Sequence, residues 1–252
     1  MTLKKLSPKS KVKPSHKVIL AVGAHPDDID IGYSGSIAKW TEQGAEVYYL
    51  VLTDGSKGSE DPHISNKELT QIRQAEQQAA ADILGVKKVY FLNFVDGELE
   101  NTPALRKHII KIIRQIKPNT VICSDPTFYY DTHRHFINHP DHRIAGEATV
   151  DCVYPFARNA RTFPELLAEG LQSHVVEELL LVNFTKATYF IDISKTIEKK
   201  VTAISAHKSQ FNDIKKFTEM IKQMSSLMGK KAKPKKLKYA EGFIRILLHQ
   251  SS

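Results

Sequence analysis

Through the first 150 residues, short apolar runs alternate with longer segments of helical period, and few architectures accommodate that order. The runs Lys17 to Gly23, Glu46 to Leu52, Lys88 to Phe94 and Thr120 to Cys123 have the length and β-branching of strands. Between them, Tyr33 to Glu42, Asn66 to Leu84 and Pro103 to Ile116 carry apolar residues at helical spacing. A helix between two strands joins them in parallel and covers one face of the sheet. Val18-Ile19-Leu20-Ala21-Val22 shows no polar alternation, as expected of a strand buried on both faces. The predicted fold is therefore α/β, a Rossmann-like three-layer α/β/α arrangement around a mostly parallel sheet. Local punctuation agrees: Ser65 with Glu68 forms a capping box, Gly85 suits a helix stop, and Thr102-Pro103 places a cap before a first-turn proline.

Downstream, the polar stretch Ser124 to Asn138 is longer than most connections and is read as a functional or mobile loop. A helix is expected from Pro140 or Asp141. Further on, Leu179 to Asn183, Tyr189 to Ile193 and Gly242 to Leu248 read as strands, and Lys195 to His207 and Asp213 to Met228 as helices. The whole chain, 1–252, is expected to form one domain, with a flexible start (1–16), an insertion or lid (155–173) and a basic loop (229–240).

Composition narrows the function classes. Apolar residues make up 41% and charged residues 25%, ordinary for a globular protein, and no apolar run approaches the ~20 residues that span a bilayer. The basic segment Lys4 to Lys17 lacks the apolar core of a secretory signal, so a cytoplasmic protein without a membrane partner is expected. Two cysteines, Cys123 and Cys152, give neither a disulfide framework nor a paired zinc motif, and packing explains them. The net charge of +8 draws on the lysine-rich stretch Lys230 to Lys238. No aromatic residues interleave those lysines, as a single-strand stacking platform would require, so no nucleic-acid partner is expected.

Two short runs carry the chemistry: Ala24-His25-Pro26-Asp27-Asp28 after the first strand, and His139-Pro140-Asp141-His142 at the start of the helix after the fourth. The carboxyl edge of an open α/β sheet is where ligands bind, and Pro26 stiffens the turn that presents His25 and Asp28. His25, Asp28 and His142 would supply two imidazoles and one carboxylate, leaving a position for water, as catalytic zinc sites do. Asp27 and His139 are then free for proton work. A carboxylate beside metal-activated water can take its proton, and a protonated His139 can stabilise an oxyanion or protonate a leaving amine. Asp141 can accept a hydrogen bond from His139, fixing its tautomer and favouring its charged form. These groups suggest amide hydrolysis. Two other readings stay open: the same ligand set serves non-haem iron oxygenases, and a purely structural metal would leave a binding protein that docks an acidic partner through its basic C-terminal region.

In these residues the chain resembles the LmbE-like, or N-acetylglucosaminyl-phosphatidylinositol deacetylase (PIG-L), family. The AHPDD run matches Ala24 to Asp28 and the HPDH run matches His139 to His142. Thr53-Asp54-Gly55 matches the turn after the second strand, Arg73 and Glu76 match a helical pair, and His207, Ser209 and Gln210 match a C-terminal histidine with serine-glutamine. The resemblance implies a deacetylase with one Zn2+ per chain on His25, Asp28 and His142. It further implies Asp27 as general base, His139 at the oxyanion or leaving group, and Arg73 on the sugar hydroxyls. The implied partner is a small amino-sugar substrate, and the implied assembly a homo-oligomer, a trimer or hexamer. Asp30 stands where the family usually has glutamate, and Ser34 where it prefers glycine.

Several assignments have structural alternatives. Arg73 can instead pair with Glu76 on a solvated helix face. Asp54 is either a turn-former or a group bordering the site. His207 either packs under the sheet edge or approaches the site, and His133 and His135 are candidates for the mouth of a binding cleft.

Overall fold

The computed structural model describes residues 16–248. The flexible start expected at 1–16 lies, apart from His16, outside the described residues. Seven strands, numbered along the chain, form one sheet in the spatial order β3 (Lys88–Phe94), β2 (Glu46–Thr53), β1 (Val18–Gly23), β4 (Thr120–Ser124), β7 (Glu178–Val182), β9 (Ala240–Leu247), β8 (Tyr189–Asp192). All pairings from β3 to β7 are parallel. At the far edge β9 lies antiparallel to both β7 and β8.

Alternate residues of β1 serve opposite faces of the sheet, which is why the strand reads as continuously apolar. Ile19 and Ala21 pack with α1 (Asp28–Glu42), α2 (Asn66–Leu84) and α6 (Ile197–Ile204) through residues such as Ile37, Leu84 and Ala203. Leu20 and Val22 pack with α3 (Pro103–Ile116) and α4 (Pro140–Asp151) through Ile109, Ile113 and Ala148. The result is the three-layer α/β/α fold. Ser65 Oγ accepts from the Glu68 N–H at the start of α2, Thr102 caps α3, and Gly85 ends α2 at φ 77°. Cys123 and Cys152 are buried and unbridged.

Helix α1 starts earlier than its apolar period suggests, at Asp28, because its first turn follows directly from the Ala24 to Asp28 run. Tyr33 then breaks the helical path at φ −154°. The carboxylate of Glu241 on β9 accepts from the backbone N–H groups of Gly35 (3.0 Å) and Ser36 (2.7 Å), and Lys200 donates to Glu241 at 2.6 Å. A distant side chain thus caps the second half of α1. The stretch Ser124 to Asn138 contains a small antiparallel hairpin, β5 (Tyr130–Asp131) and β6 (Phe136–Ile137). Within 155–173 lies a short helix, α5 (Pro164–Ala168). Helix α7 (Ile214–Lys231) carries Lys230 and Lys231 in its last turn, where cations complement the helix dipole, so the basic stretch begins as helix rather than loop.

Strand order reverses at β1: the chain leaves it toward β2 on one side, and β4 flanks it on the other. Such a switch point opens a crevice at the carboxyl ends of the two strands. The run after β1 and the start of α4 meet there. Helix α4 lies so close that a Cβ on Gly146 would stand 2.3 Å from the Ser124 carbonyl oxygen.

Candidate active site

Both histidine-aspartate runs line one cleft of roughly 370 Å³ at this crevice, together with Lys57, Arg73, Asp96, Gly97 and Gln210. His25 Nδ1 lies 3.3 Å from His142 Nε2 and 3.4 Å from Asp28 Oδ2, and His142 Nε2 lies 3.0 Å from Asp28 Oδ1. Donors bound tetrahedrally at about 2.0–2.1 Å stand about 3.3 Å apart. Two imidazole nitrogens and a carboxylate at that spacing fit a divalent cation, with an open face toward the cleft. His139 belongs to the same constellation: a ring nitrogen of each of His25, His139 and His142 falls within 4.8 Å of the others.

The remaining groups orient these donors. His142 Nδ1 meets Asn138 Oδ1 at 2.9 Å, which leaves Nε2 facing Asp28. His25 Nε2 stands 3.2 Å from Asp141 Oδ2 and 3.1 Å from Asp96 Oδ1, so Nδ1 is its free donor. Asp141 in turn accepts from the Gly97 N–H at 2.7 Å, and Asp96 from the Lys57 N–H at 3.0 Å. Burial opposes a charge on His25, yet hydrogen bonds to Asp141, Asp28 and Asp96 push its pKa up to about 12. Burial likewise opposes ionisation of Asp28, but the adjoining His142 and His25 hold it well below the usual carboxylate range. This is a site built to hold positive charge.

Asp27 differs from its neighbour. Its backbone has φ 112°, a costly value for a residue with a Cβ, and its N–H donates to Gln77 Oε1 at 3.0 Å. Burial and the charge of Asp28 raise its carboxyl to about 6, despite Arg73 NH2 at 3.4 Å from Oδ2. Arg73 is buried and donates to the Gly55 carbonyl (2.9 Å) and the Pro26 carbonyl (2.7 Å), clamping the loops after β1 and β2 together. A Cβ on Gly58 would stand 2.1 Å from Arg73 Nη1, so a side chain there would push the guanidinium away from its carbonyl partners. The alternative Arg73–Glu76 pair does not form. Glu76 instead accepts from the Ser209 backbone N–H at 2.8 Å and its hydroxyl at 2.6 Å.

Two expectations need correction. Asp141 presents its carboxylate to His25, not to His139; it is the Asp141 backbone N–H that donates to His139 Nδ1, at 3.2 Å. His139 therefore carries its proton on Nε2. Burial and the neighbouring His25 lower its pKa, so the neutral form, not the charged one, is favoured. Asp54 is a turn-former whose carboxylate accepts from the N–H groups of Ser56 (3.0 Å) and Asp96 (3.1 Å), and it supports the site through Asp96.

His207 takes part in a buried network behind the cleft. Its Nε2 lies 2.8 Å from Asp30 Oδ2, which also accepts from Gln77 Nε2 at 2.7 Å, while Tyr49 donates to Asp30 Oδ1 at 3.1 Å. Through Gln77 this network reaches the Asp27 backbone. His133 and His135 are exposed on the β5–β6 turn. Asp96 and Gln77 were missed from sequence; Asp96-Gly97 repeats after β3 the pattern of Asp54-Gly55 after β2, a signal that points to it.

The profile of the GlcNAc-PI de-N-acetylase (PIG-L) family matches residues 20–153, and the chain belongs to that family. It is 40% identical over 195 residues to the diacetylchitobiose deacetylase of Thermococcus kodakarensis, covering 77% of this chain and 70% of that one. Similarity also extends to a probable N-acetyl-alpha-D-glucosaminyl L-malate deacetylase 2 of Bacillus anthracis, at 29% identity over 77% of this chain and 81% of that one. Among solved structures, the N,N'-diacetylchitobiose deacetylase of Pyrococcus horikoshii, complexed with its inhibitor MPG, superposes with a TM-score of 0.83 at 35% identity, covering 92% of this chain and 84% of that one. No helix among the described residues is long and apolar enough to cross a membrane.

Proposed function

We propose that this chain is a zinc-dependent hydrolase that removes acetyl from a small molecule containing N-acetylglucosamine. The observation that carries the reading is the donor triad of His25, Asp28 and His142 at tetrahedral spacing, with the Asp27 carboxyl beside it in the same cleft. The names of the relatives supply the substrate class. When bound, zinc lowers the pKa of water and polarises the acyl oxygen.

Asp27 is the general base in this proposal. A carboxyl near 6 is ionised at neutral pH yet able to hold the proton that water gives up and return it to the departing nitrogen. His139, neutral and protonated on Nε2, donates a hydrogen bond to the developing oxyanion. Asp141 orients His25, and Arg73 fixes Asp27 from the opposite side. Arg73 and Asp96, both on the cleft wall, are the groups for the sugar hydroxyls, and His207 acts from behind through Asp30.

The test is acetate release from N-acetylglucosamine, diacetylchitobiose and malate-linked N-acetylglucosamine, with and without chelator, on aerobically purified protein whose metal content is measured. Zinc-dependent release from at least one of the three is expected. Iron with oxygen consumption, or no release from any, would overturn the reading.

A further inference from the structure

An amide hydrolase must house two fragments, one on each side of the bond it breaks. The cleft on the Arg73 side is polar and suits a sugar. A second chamber of roughly 260 Å³ adjoins the cleft and shares Asp28, Ile31 and His142 with it. Its walls are Val22, Gly32, Phe128, Phe136, Val182 and Phe184. Phe136 on β6 stacks on Phe128, just before β5, with centroids 6.1 Å apart, and both line the chamber.

Three of the polar groups at the chamber are already engaged. Tyr33 donates its hydroxyl to the Val22 carbonyl, Asp125 accepts from Asn183, and Asn138 donates to the Phe128 carbonyl while its oxygen faces His142. Apart from Ser124 and the shared Asp28 and His142, the surface left for a ligand is largely hydrocarbon. An acetyl methyl is about the size of one water, whose share of liquid volume is about 30 Å³. The chamber is several times larger than acetyl requires.

We infer that this chamber is an acyl subsite and that the protein hydrolyses N-acyl amino sugars with chains longer than acetyl, butyryl to hexanoyl. The inference rests on the amide-hydrolase reading above. Water adds its oxygen to the acyl carbon, the carbon–nitrogen bond breaks, and the water proton passes to the nitrogen, releasing a short-chain carboxylate and a free amine. Each buried methylene is worth up to about fourfold in transition-state binding.

Gly32 offers a direct test. It lies within α1 at an ordinary backbone angle and lines the chamber, and a Cβ added there would face Val182 Cγ1 at 3.9 Å, ordinary contact, so an alanine fits and a larger side chain narrows the chamber. The zinc-loaded wild type, Gly32→Ala and Gly32→Leu are compared for amine release from N-acetyl-, N-butyryl- and N-hexanoylglucosamine. Binding of acetate and butyrate is measured by calorimetry alongside. The expected wild-type kcat/KM is about tenfold higher for butyryl than for acetyl, and butyrate binds more tightly than acetate. Gly32→Leu should lower the butyryl-to-acetyl ratio at least tenfold, with Gly32→Ala between. Acetyl hydrolysis with slower butyryl turnover, or a ratio indifferent to Gly32, would overturn the acyl subsite and leave the deacetylase reading standing. Failure on every amide would remove both.

Discussion

His25 and Asp27 stand two positions apart, yet networks of opposite character hold them. Behind His25 are Asp96 and Asp141, carboxylates that with Asp28 surround the imidazoles with negative charge. Behind Asp27 is the Gln77–Asp30–Tyr49–His207 network, in which every side chain is buried and Asp30 accepts from its three neighbours. The first network is incomplete in charge and calls for a cation. The second satisfies its carboxylate internally and leaves only His207 Nδ1 without a partner. On the proposed roles, a metal would be free to leave the first network while the second keeps Asp27 in position.

The sharpest way to separate the two is Asp27→Asn, which keeps shape and removes the proposed base. Turnover should fall 10²- to 10⁴-fold while metal content stays at the wild-type level. If metal is lost as well, the division between ligand and base is wrong. Next in size is Asp30→Leu, which leaves His207, Gln77 and Tyr49 buried without their acceptor. Removing one partner of a buried pair costs about 3–5 kcal/mol, readable in denaturant unfolding, and the loss should be the same with or without zinc. Asp141→Asn addresses the other network. Metal affinity should weaken about 10- to 100-fold, the usual cost of losing a group that orients a ligand.

The smallest effect is in pH. Burial acts against charge on His207, but its hydrogen bond to Asp30 and the charge of that carboxylate raise its pKa above the ordinary value. A raised folded pKa gives stability that is fully present below the unfolded value of about 6.5 and is lost as pH rises through the folded one. Unfolding free energies of wild type and His207→Gln should therefore converge from acid toward alkaline pH. A gap that widens with pH would show that the imidazole is held neutral.

Much of this site was legible because its chemistry is concentrated in two short runs. His25, Asp27, Asp28, His139 and His142 sit together in sequence, and the strands before them place both runs at one sheet edge. Gln77 and Asp96 had no such local signature. Their roles depend on how α2 is rotated and on where β3 ends, which only tertiary packing sets. Asp141 was misread for a subtler reason: its backbone, not its carboxylate, reaches His139, and residue type does not reveal which of the two will. The early strands were clear from their apolar runs, whereas the antiparallel insertion of β9 between β7 and β8 was not, since a terminal strand can pair with either edge or complete a gap. The kink at Tyr33 likewise depends on Glu241, a residue 206 positions beyond Gly35.

The facing nitrogens of His25 and His142 belong to residues 117 positions apart, so an ion gripping both would close a long loop of chain. In the unfolded state such a tether removes configurational entropy, as a cross-link does, to a limit of about 5 kcal/mol for loops of this length. The ion would then act as a removable staple between the β1 and β4 halves of the sheet.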